Sequence, residues 1–292
     1  MRFIEPGSFL MGSARHYPEE APVHRVEVDG FWIDVHPVTN AEFAAFVAAT
    51  GYVTLAERPP DAADYPDALQ ELLVPGSAVF IPPPGPVDLR VVTWWAYVPG
   101  ASWRHPPGPH SDLDGRDNHP VVQVAYEDAQ AYAVWAGKQL PTEAQWEFAA
   151  RGGLEGAAYA WGNEPAPGGR PMANTWQGEF PWQNLGLDGY EGTSPVGEFP
   201  ANGYGLHDMT GNVWEWTSDD FRAQGALAPQ APCCAPVASA PPRSQRVKVL
   251  KGGSHLCAPN YCLRYRPAAR YPEPADTSTS HIGFRCVVDQ RG

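Results

Sequence analysis

Turn-forming residues limit what this chain can fold into more than any other feature. Its 292 residues include 33 prolines and 29 glycines, about a fifth of the whole, without a fixed period. Proline removes a backbone donor and fixes φ, and glycine adopts turn conformations that are closed to other residues, so both interrupt helices and sheet ladders. The missing three-residue period excludes a collagen-like chain. The sequence therefore predicts a compact fold with many loops and only short helices and strands.

Composition narrows the function classes. The chain is 43% hydrophobic and carries 11 Trp, 12 Tyr and 11 Phe, which is enough for a large core and excludes a disordered chain. A net charge of -13 argues against nucleic acid or an anionic membrane surface as the main partner, because both need a basic footprint. No window of about 18 apolar residues predicts a membrane span, and MRFIEPGSFLMGS lacks the pattern of a signal peptide. We expect a cytoplasmic protein, and a monomer because no pattern indicates an interface.

Three helices are predicted from their boundary residues. In VTNAEFAAFVAATGY, Thr39 and Glu42 form a capping box and Gly51 supplies the stop. AYEDAQAYAVWAGK begins with acidic residues that suit the positive end of a helix, and it ends at a glycine. LPTEAQWEFAARGG repeats the capping box with Thr142 and Gln145 before another glycine stop.

Short strands are predicted where apolar, β-favouring residues stand between turn formers, at 23–28, 31–35, 121–124, 247–250 and 284–288. Residues 55–118 and 219–245 are poor in periodicity and rich in proline. There is no internal repeat and no linker between two cores. We therefore predict one α+β domain over residues 1–292, compact but low in regular secondary structure, with a Pro-rich insertion at about 219–245.

Cysteine spacing gives the first indication of chemistry. Cys257 and Cys262 are separated by four residues within LKGGSHLCAPNYCLRYRPAAR. Two thiolates are soft donors that suit Cu(I), and Pro259 bends the chain between them. By spacing alone, a local disulfide or two unrelated buried thiols remain open as alternatives. Cys233 and Cys234 are adjacent in the Pro-rich insertion, and their role stays open.

Longer stretches of the chain carry a family resemblance. They are GSFLMGS, VTNAEFAAFV, HPVVQVAYEDAQAYAVWAGKQLPTEAQWEFAARGG, NTWQGEFP, GLHDMTGNVWEWTSD, KGGSHLCAPNYCLRYRPAAR and DTSTSHIGFRC. Over nearly its whole length the sequence resembles the formylglycine-generating enzymes, the sulfatase-modifying factors. Motifs such as GNVWEW and GFR belong to a wider superfamily and indicate the fold. The paired cysteines in GGSHLCAPNYC are the specific signature of the enzymes. The resemblance implies a C-type-lectin-like fold.

The resemblance also implies an activity: oxidation of one cysteine in a sulfatase Cys-x-Pro-x-Arg segment to formylglycine, with O2 as co-substrate and Cu(I) as cofactor. Cys257 and Cys262 would hold the copper, and the substrate cysteine would add a third sulfur. Ser254, Tyr261 and Trp214 match family positions beside this centre, although a turn serine and packed aromatic residues are ordinary alternatives. The partner would be a sulfatase polypeptide in an unfolded or peptide-like state.

Structural calcium is the second cofactor that the resemblance implies. Irregular loops suit it, because they offer carbonyl and carboxylate oxygens. One site would use the side chains of Asn174 and Asp188 with the carbonyls of Thr175 and Tyr190. The other would use the side chains of Asp208 and Glu215 with the carbonyls of Gly211 and Val213. The ordinary alternative is that these acids cap turns.

Other residues near the signature have simpler interpretations. Arg264, Arg266, Arg270 and Arg285 are expected to form internal ion pairs, and Cys286 to be a buried free thiol. The scattered histidines lack a spacing that supports a non-haem iron site. Because fold does not fix function, two rival functions are a catalytically silent binding protein on the same scaffold and an oxidase of a non-sulfatase thiol.

Overall fold

The structure is a computed structural model that describes residues 1–222 and 246–290. Its helices are α1 (Asn40–Thr50), α2 (Tyr126–Trp135) and α3 (Glu143–Arg151). Its strands are β1 (Arg2–Ile4), β2 (Gly7–Met11), β3 (His24–Val28), β4 (Phe31–Ile33), β5 (Gly76–Phe80), β6 (Trp95–Pro99), β7 (Trp214–Asp220), β8 (Val247–Lys251), β9 (Arg270–Pro274), β10 (Ile282–Gly283) and β11 (Val287–Asp289).

All three predicted helices are confirmed, together with their caps. The Thr39 and Thr142 side chains accept hydrogen bonds from the backbone three residues on, and Glu42 and Gln145 reciprocate. At α2, which has Ala125 at the N-cap, Asp128 alone reaches back and accepts from the Ala125 N–H at 2.8 Å. These local signals are reliable because they satisfy donors that a helix start leaves unpaired.

The strands form small sheets rather than one large one. β10-β7-β8-β9 make a four-stranded sheet, β1-β4-β11 a three-stranded sheet, and β2-β3 and β5-β6 are separate hairpins. The predicted α+β class with little regular structure is confirmed. Among the described residues, no helix is long and apolar enough to cross a bilayer.

The strand predictions succeed only in part. Those at 23–28 and 247–250 match β3 and β8, and the one at 31–35 shortens to β4. The one at 284–288 overlaps β11 only at residues 287 and 288. The prediction of a strand at 121–124 is wrong. The Val121 N–H donates one hydrogen bond to Val38 and the Gln123 N–H donates one to Thr279, and Gln123 has a φ of +60°. That left-handed residue breaks the extended run, so no ladder can continue through it.

Seven of the eleven strands that the structure describes were missed, namely β1, β2, β5, β6, β7, β9 and β10. β5 and β6 lie inside residues 55–118, which the abundant proline made look irregular, and β7 runs through residues 219 and 220, where the insertion was predicted to begin. The rest of that insertion, with Cys233 and Cys234, lies almost entirely outside the described residues.

Buried and partly buried ion pairs hold the loops onto the sheets. Arg264, Arg266, Arg270 and Arg285 pair with Glu19, Glu20, Glu143 and Glu215 respectively, which confirms the expectation for all four. Cys286 is free and has no exposed surface, and it lies in the main core with Ala133, so the prediction of a buried free thiol is confirmed. A core held partly by charged groups tolerates irregular backbone because the arginines also satisfy loop carbonyls.

Candidate active site

The loop after β8 brings the two signature cysteines together. Gly252 and Gly253 start it with φ of +93° and +70°, and a Cβ at Gly253 would lie 2.8 Å from the Arg264 backbone. Only glycine fits this turn without strain. The Cys257 N–H then donates to the Ser254 carbonyl at 2.9 Å, and the Cys262 N–H donates to the Ala258 carbonyl at 2.8 Å. Two successive turns thus place both side chains on the same side of the loop.

The two cysteines are free thiols in contact. Their Sγ atoms are 3.1 Å apart, well beyond the length of about 2.05 Å of a disulfide bond. Cys257 is 2% exposed, and Cys262 is partly buried. Of the alternatives that spacing left open, the structure therefore shows neither a disulfide nor two unrelated thiols.

The environment makes the two thiols unequal. The hydrogen bond from Cys257 lowers the pKa of Cys262 to about 7, and the Arg264 guanidinium, whose Nη1 lies 3.8 Å from its sulfur, acts in the same direction. Burial raises the pKa of Cys257 well above its ordinary value. A Cys262 thiolate beside a neutral Cys257 thiol is thus well populated at neutral pH.

We expect this asymmetry to appear as selective alkylation. Iodoacetamide at pH 7 should label Cys262 at least about tenfold faster than Cys257, because the reactive species is the thiolate and Cys262 is also the more accessible sulfur. Peptide mass spectrometry after timed quenching measures both rates in one sample. Cys286 serves as the internal control and should stay unlabelled in the folded protein, since it is fully buried. Equal rates at the paired cysteines would contradict the assigned asymmetry.

A cavity of about 430 Å³ opens beside the pair. Aromatic and apolar side chains supply one part of its lining, and polar side chains from residues 273–281 supply another. The lining residues are Ala78, Trp94, Trp95, Phe180, Trp214, Leu250, Ser254, Leu256, Cys257, Tyr261, Cys262, Arg264, Tyr271, Glu273, Thr277, Thr279 and His281. A concave, mostly apolar site with a few polar groups and two thiols is the form expected of an active site.

Ser254, Tyr261 and Trp214 all line this cavity with the thiols. The Ser254 N–H donates to the Cys257 sulfur at 3.4 Å, and its Oγ accepts from Leu256 N–H at 3.2 Å. The Tyr261 ring stacks on Phe180 at 4.5 Å, and the residue is 40% exposed, so part of it is accessible to a ligand. Trp214 is 4% exposed, so it serves the core as well as the cavity.

Several cavity residues were missed by sequence reasoning. Trp94 and Trp95 enter with the β5–β6 hairpin, and Phe180 packs on both Trp94 and Tyr261. His281 lies in the wall with its pKa lowered to about 3 by burial, so it is neutral. No local pattern marks these positions, because the cavity forms only when distant loops dock: Ala78 bridges to Thr279 across 201 positions of sequence.

The first predicted calcium site has an incomplete hydrogen-bond pattern. The Asp188 carboxylate accepts from the backbone N–H groups of Thr175 and Tyr190 at 3.2 and 3.1 Å, so the loops that carry the four predicted residues meet. Asn174 is 1% exposed, its Nδ2 donates to the Gly192 carbonyl, and its buried Oδ1 has no partner. A buried amide oxygen without a donor is costly, and a hard cation would satisfy it.

At the second predicted calcium site, the carboxylates already accept more hydrogen bonds. Glu215 accepts two bonds from Arg285, both at 2.7 Å, and one from Trp146 Nε1 at 2.8 Å. Asp208 accepts from the Gly197 N–H at 2.7 Å, and burial raises its pKa. A carboxylate has about four acceptor positions, so one stays open on Glu215. Calcium at Asp208, Gly211, Val213 and Glu215 remains a prediction. The side-chain oxygens of this second site have fewer positions left to bind a cation than those of the first site.

Fold and site together define a single-domain protein with a reactive dithiol in a cavity. A family model described as the sulfatase-modifying factor enzyme 1-like domain matches residues 1–290, so the chain belongs to that family of enzymes. It is 61% identical to a formylglycine-generating enzyme of Mycobacterium tuberculosis over 286 residues, which covers 97% of this chain and 95% of the relative. It is 47% identical to a formylglycine-generating enzyme of Thermomonospora curvata, covering 98% and 92% of the two chains.

A solved structure supports the fold. PvdO from Pseudomonas aeruginosa superposes with a TM-score of 0.65 at 25% identity, over 99% of this chain and 93% of its own. The fold predicted from the resemblance is therefore confirmed.

Proposed function

We propose that this protein oxidises a cysteine of a sulfatase polypeptide to formylglycine, with Cu(I) held by Cys257 and Cys262 and O2 as co-substrate. The observation that carries the proposal is the pair of free sulfurs, 3.1 Å apart, in the wall of the 430 Å³ cavity. The identities to formylglycine-generating enzymes support the reaction class.

The donor set fits a soft, low-coordinate ion. Two sulfurs converge, and no group of three or more His, Cys, Asp or Glu side chains within residues 1–222 and 246–290 forms a conventional cation site. A two-sulfur site leaves room for a third sulfur from the substrate, as Cu(I) permits and zinc disfavours. When bound, copper supplies a means of activating O2.

The chain's own residues prepare this chemistry. Arg264 stabilises the Cys262 thiolate and is held in place by Glu19 at 2.7 Å and by the Tyr17 ring at 3.7 Å. Ser254 fixes the Cys257 sulfur through its N–H, and the Tyr261 hydroxyl can orient groups at the cavity mouth. Trp94, Phe180 and Tyr261 form an apolar wall that can pack a substrate proline and keep water from the reacting sulfur.

Copper uptake tests the proposed cofactor separately from turnover. The reduced protein should bind one Cu(I), and protein whose Cys257 and Cys262 are alkylated should bind none, as measured by competition with a chromophoric Cu(I) chelator. Equal uptake by both forms would overturn the bis-thiolate site. A protein that binds no copper in either form and converts no peptide would instead fit the binding-protein alternative.

Substrate selectivity separates the sulfatase reaction from oxidation of another thiol. Replacing the proline or the arginine of a Cys-x-Pro-x-Arg peptide should lower kcat/KM by about tenfold or more, since either change removes a binding contact near the reacting centre. Unchanged kcat/KM would favour a non-sulfatase thiol as the substrate.

We also propose structural calcium at Asn174, Thr175, Asp188 and Tyr190. Calcium at about 100 times its Kd should raise the free energy of unfolding by about 2.7 kcal/mol, and the unpartnered Asn174 Oδ1 supports a direct ligand role. Thermal unfolding with calcium or with a chelator measures the effect. Asn174→Ala should lose most of it, and Asn163→Ala, at an exposed asparagine, should keep it. A calcium response that Asn174→Ala leaves intact would contradict this ligand set.

A further inference from the structure

One residue of the cavity wall has no part in the proposed copper and thiol chemistry. Glu273 lies on β9 and lines the cavity together with Tyr271, two positions before it on the same face of the strand. Among the cavity-lining residues that the structure describes, Glu273 is the only carboxylate. An acidic group in a largely aromatic wall requires a partner.

The cations nearest to Glu273 in the fold are engaged elsewhere. Lys248 is its cross-strand partner, yet the Lys248 Nζ pairs with Asp220 at 2.7 Å and donates to the Ser218 carbonyl at 2.8 Å. Arg264, the basic residue of the cavity wall, pairs with Glu19 at 2.7 Å. Within the described residues, the Glu273 side chain has a hydrogen bond from Thr277 and forms no ion pair.

Electrostatics agree with this geometry. Burial raises the pKa of Glu273 to about 7, and the charge of Asp276 adds to the effect. A partly desolvated carboxylate of this kind is stabilised when a cation binds beside it. A guanidinium matches a carboxylate with two parallel hydrogen bonds, and it stacks on aromatic faces such as those of Tyr271 and Trp95, which line the same cavity.

We propose that Glu273 is a specificity-determining residue, which receives the guanidinium of an arginine side chain in the substrate polypeptide. The inference rests on the proposed function, because the bound polypeptide is the one whose cysteine reaches Cys257 and Cys262. Glu273 acts on binding and orientation and does not touch the reacting sulfur. It therefore governs KM, while the thiols govern kcat.

The test uses two peptides that differ only in charge: Cys-x-Pro-x-Arg and the same peptide with citrulline, the neutral isostere of arginine. For the wild type, citrulline should raise KM by about tenfold, the effect of losing one charged hydrogen-bonded pair. For Glu273→Gln, the arginine peptide should already show the raised KM, and citrulline should change it by less than about twofold. Glu27→Gln, an exposed acid outside the cavity wall, should behave like the wild type.

The proposal is overturned if the Glu273→Gln variant keeps the wild-type ratio of KM between the two peptides. It is also overturned if the variant loses kcat equally for both peptides. If Glu273→Gln does not fold, Glu273→Asp provides the same comparison with its charge retained, and should show an intermediate arginine preference. A wild type that converts neither peptide refutes the proposed reaction alone. In that case, binding of serine-for-cysteine peptides, followed by the fluorescence of Trp94, Trp95 and Trp214 in the cavity, still tests Glu273 through the same arginine-to-citrulline ratio of Kd.

Discussion

Cys257→Ala and Cys262→Ala should each reduce peptide conversion to below about a thousandth of the wild-type rate while leaving the fold intact. Neither single sulfur can hold the proposed two-sulfur copper site, so we expect either change to abolish that site rather than weaken it. The structural cost is small, because each change deletes one sulfur and adds a cavity worth about 1 kcal/mol or less at a site that already borders open space. Conversion followed by mass spectrometry measures the rate, and circular dichroism with thermal unfolding measures the fold.

Cys286→Ala is the matched control. It deletes the same atom from a residue with no exposed surface, in the main core and outside the cavity wall. This variant should lose some stability and keep its activity within about twofold of the wild type. If Cys262→Ala turned over substrate at a tenth of the wild-type rate or more, the bis-thiolate assignment would be wrong.

Arg285→Met should lower the free energy of unfolding by about 3–5 kcal/mol, because it leaves Glu215 buried without its cation. Arg285 is completely buried, pairs with both Glu215 oxygens, and donates to the carbonyls of His207 and Asp208 at 2.9 and 3.0 Å. These bonds join the segment before β7 to the segment before β11. Urea unfolding at pH 7 in the presence of a chelator measures the loss without a contribution from calcium.

Two further variants show whether the unpaired charge causes that loss. Arg285→Met combined with Glu215→Gln should recover part of the stability, because a neutral amide replaces the orphaned carboxylate. Arg90→Met breaks the exposed ion pair of Arg90 with Asp88 and should change stability by no more than about 0.5 kcal/mol. A loss below about 1 kcal/mol for Arg285→Met would contradict the role assigned to this pair.

Sequence reasoning succeeded where structure depends on neighbouring residues. The Thr39 and Thr142 caps predict their helices because each satisfies donors within three positions. The cysteine pair belongs to the same class, since its two turns close within residues 254–262. Strand predictions were weaker, because strands need a continuous ladder to a distant partner: residues 121–124 look like a strand but make only single backbone bonds to Val38 and Thr279.

The cavity wall lay beyond prediction for the same reason. Trp94 arrives on a hairpin from a proline-rich segment, and Glu273 faces the cavity only because β9 pairs with β8 in one register. A shift of one residue in that register would turn Glu273 away. The residues predicted to bind calcium share this limit, since Asp188 meets Thr175 through a long loop whose shape no periodicity encodes.

Incubating the reduced, Cu(I)-loaded protein in air with a Cys-x-Pro-x-Arg peptide, and following the peptide by mass spectrometry, decides whether the protein makes formylglycine. We expect the peptide cysteine to become formylglycine and oxygen to be consumed, and we expect neither with Cys262→Ala. A peptide that stays unchanged although copper is demonstrably bound at Cys257 and Cys262 would contradict the proposed reaction.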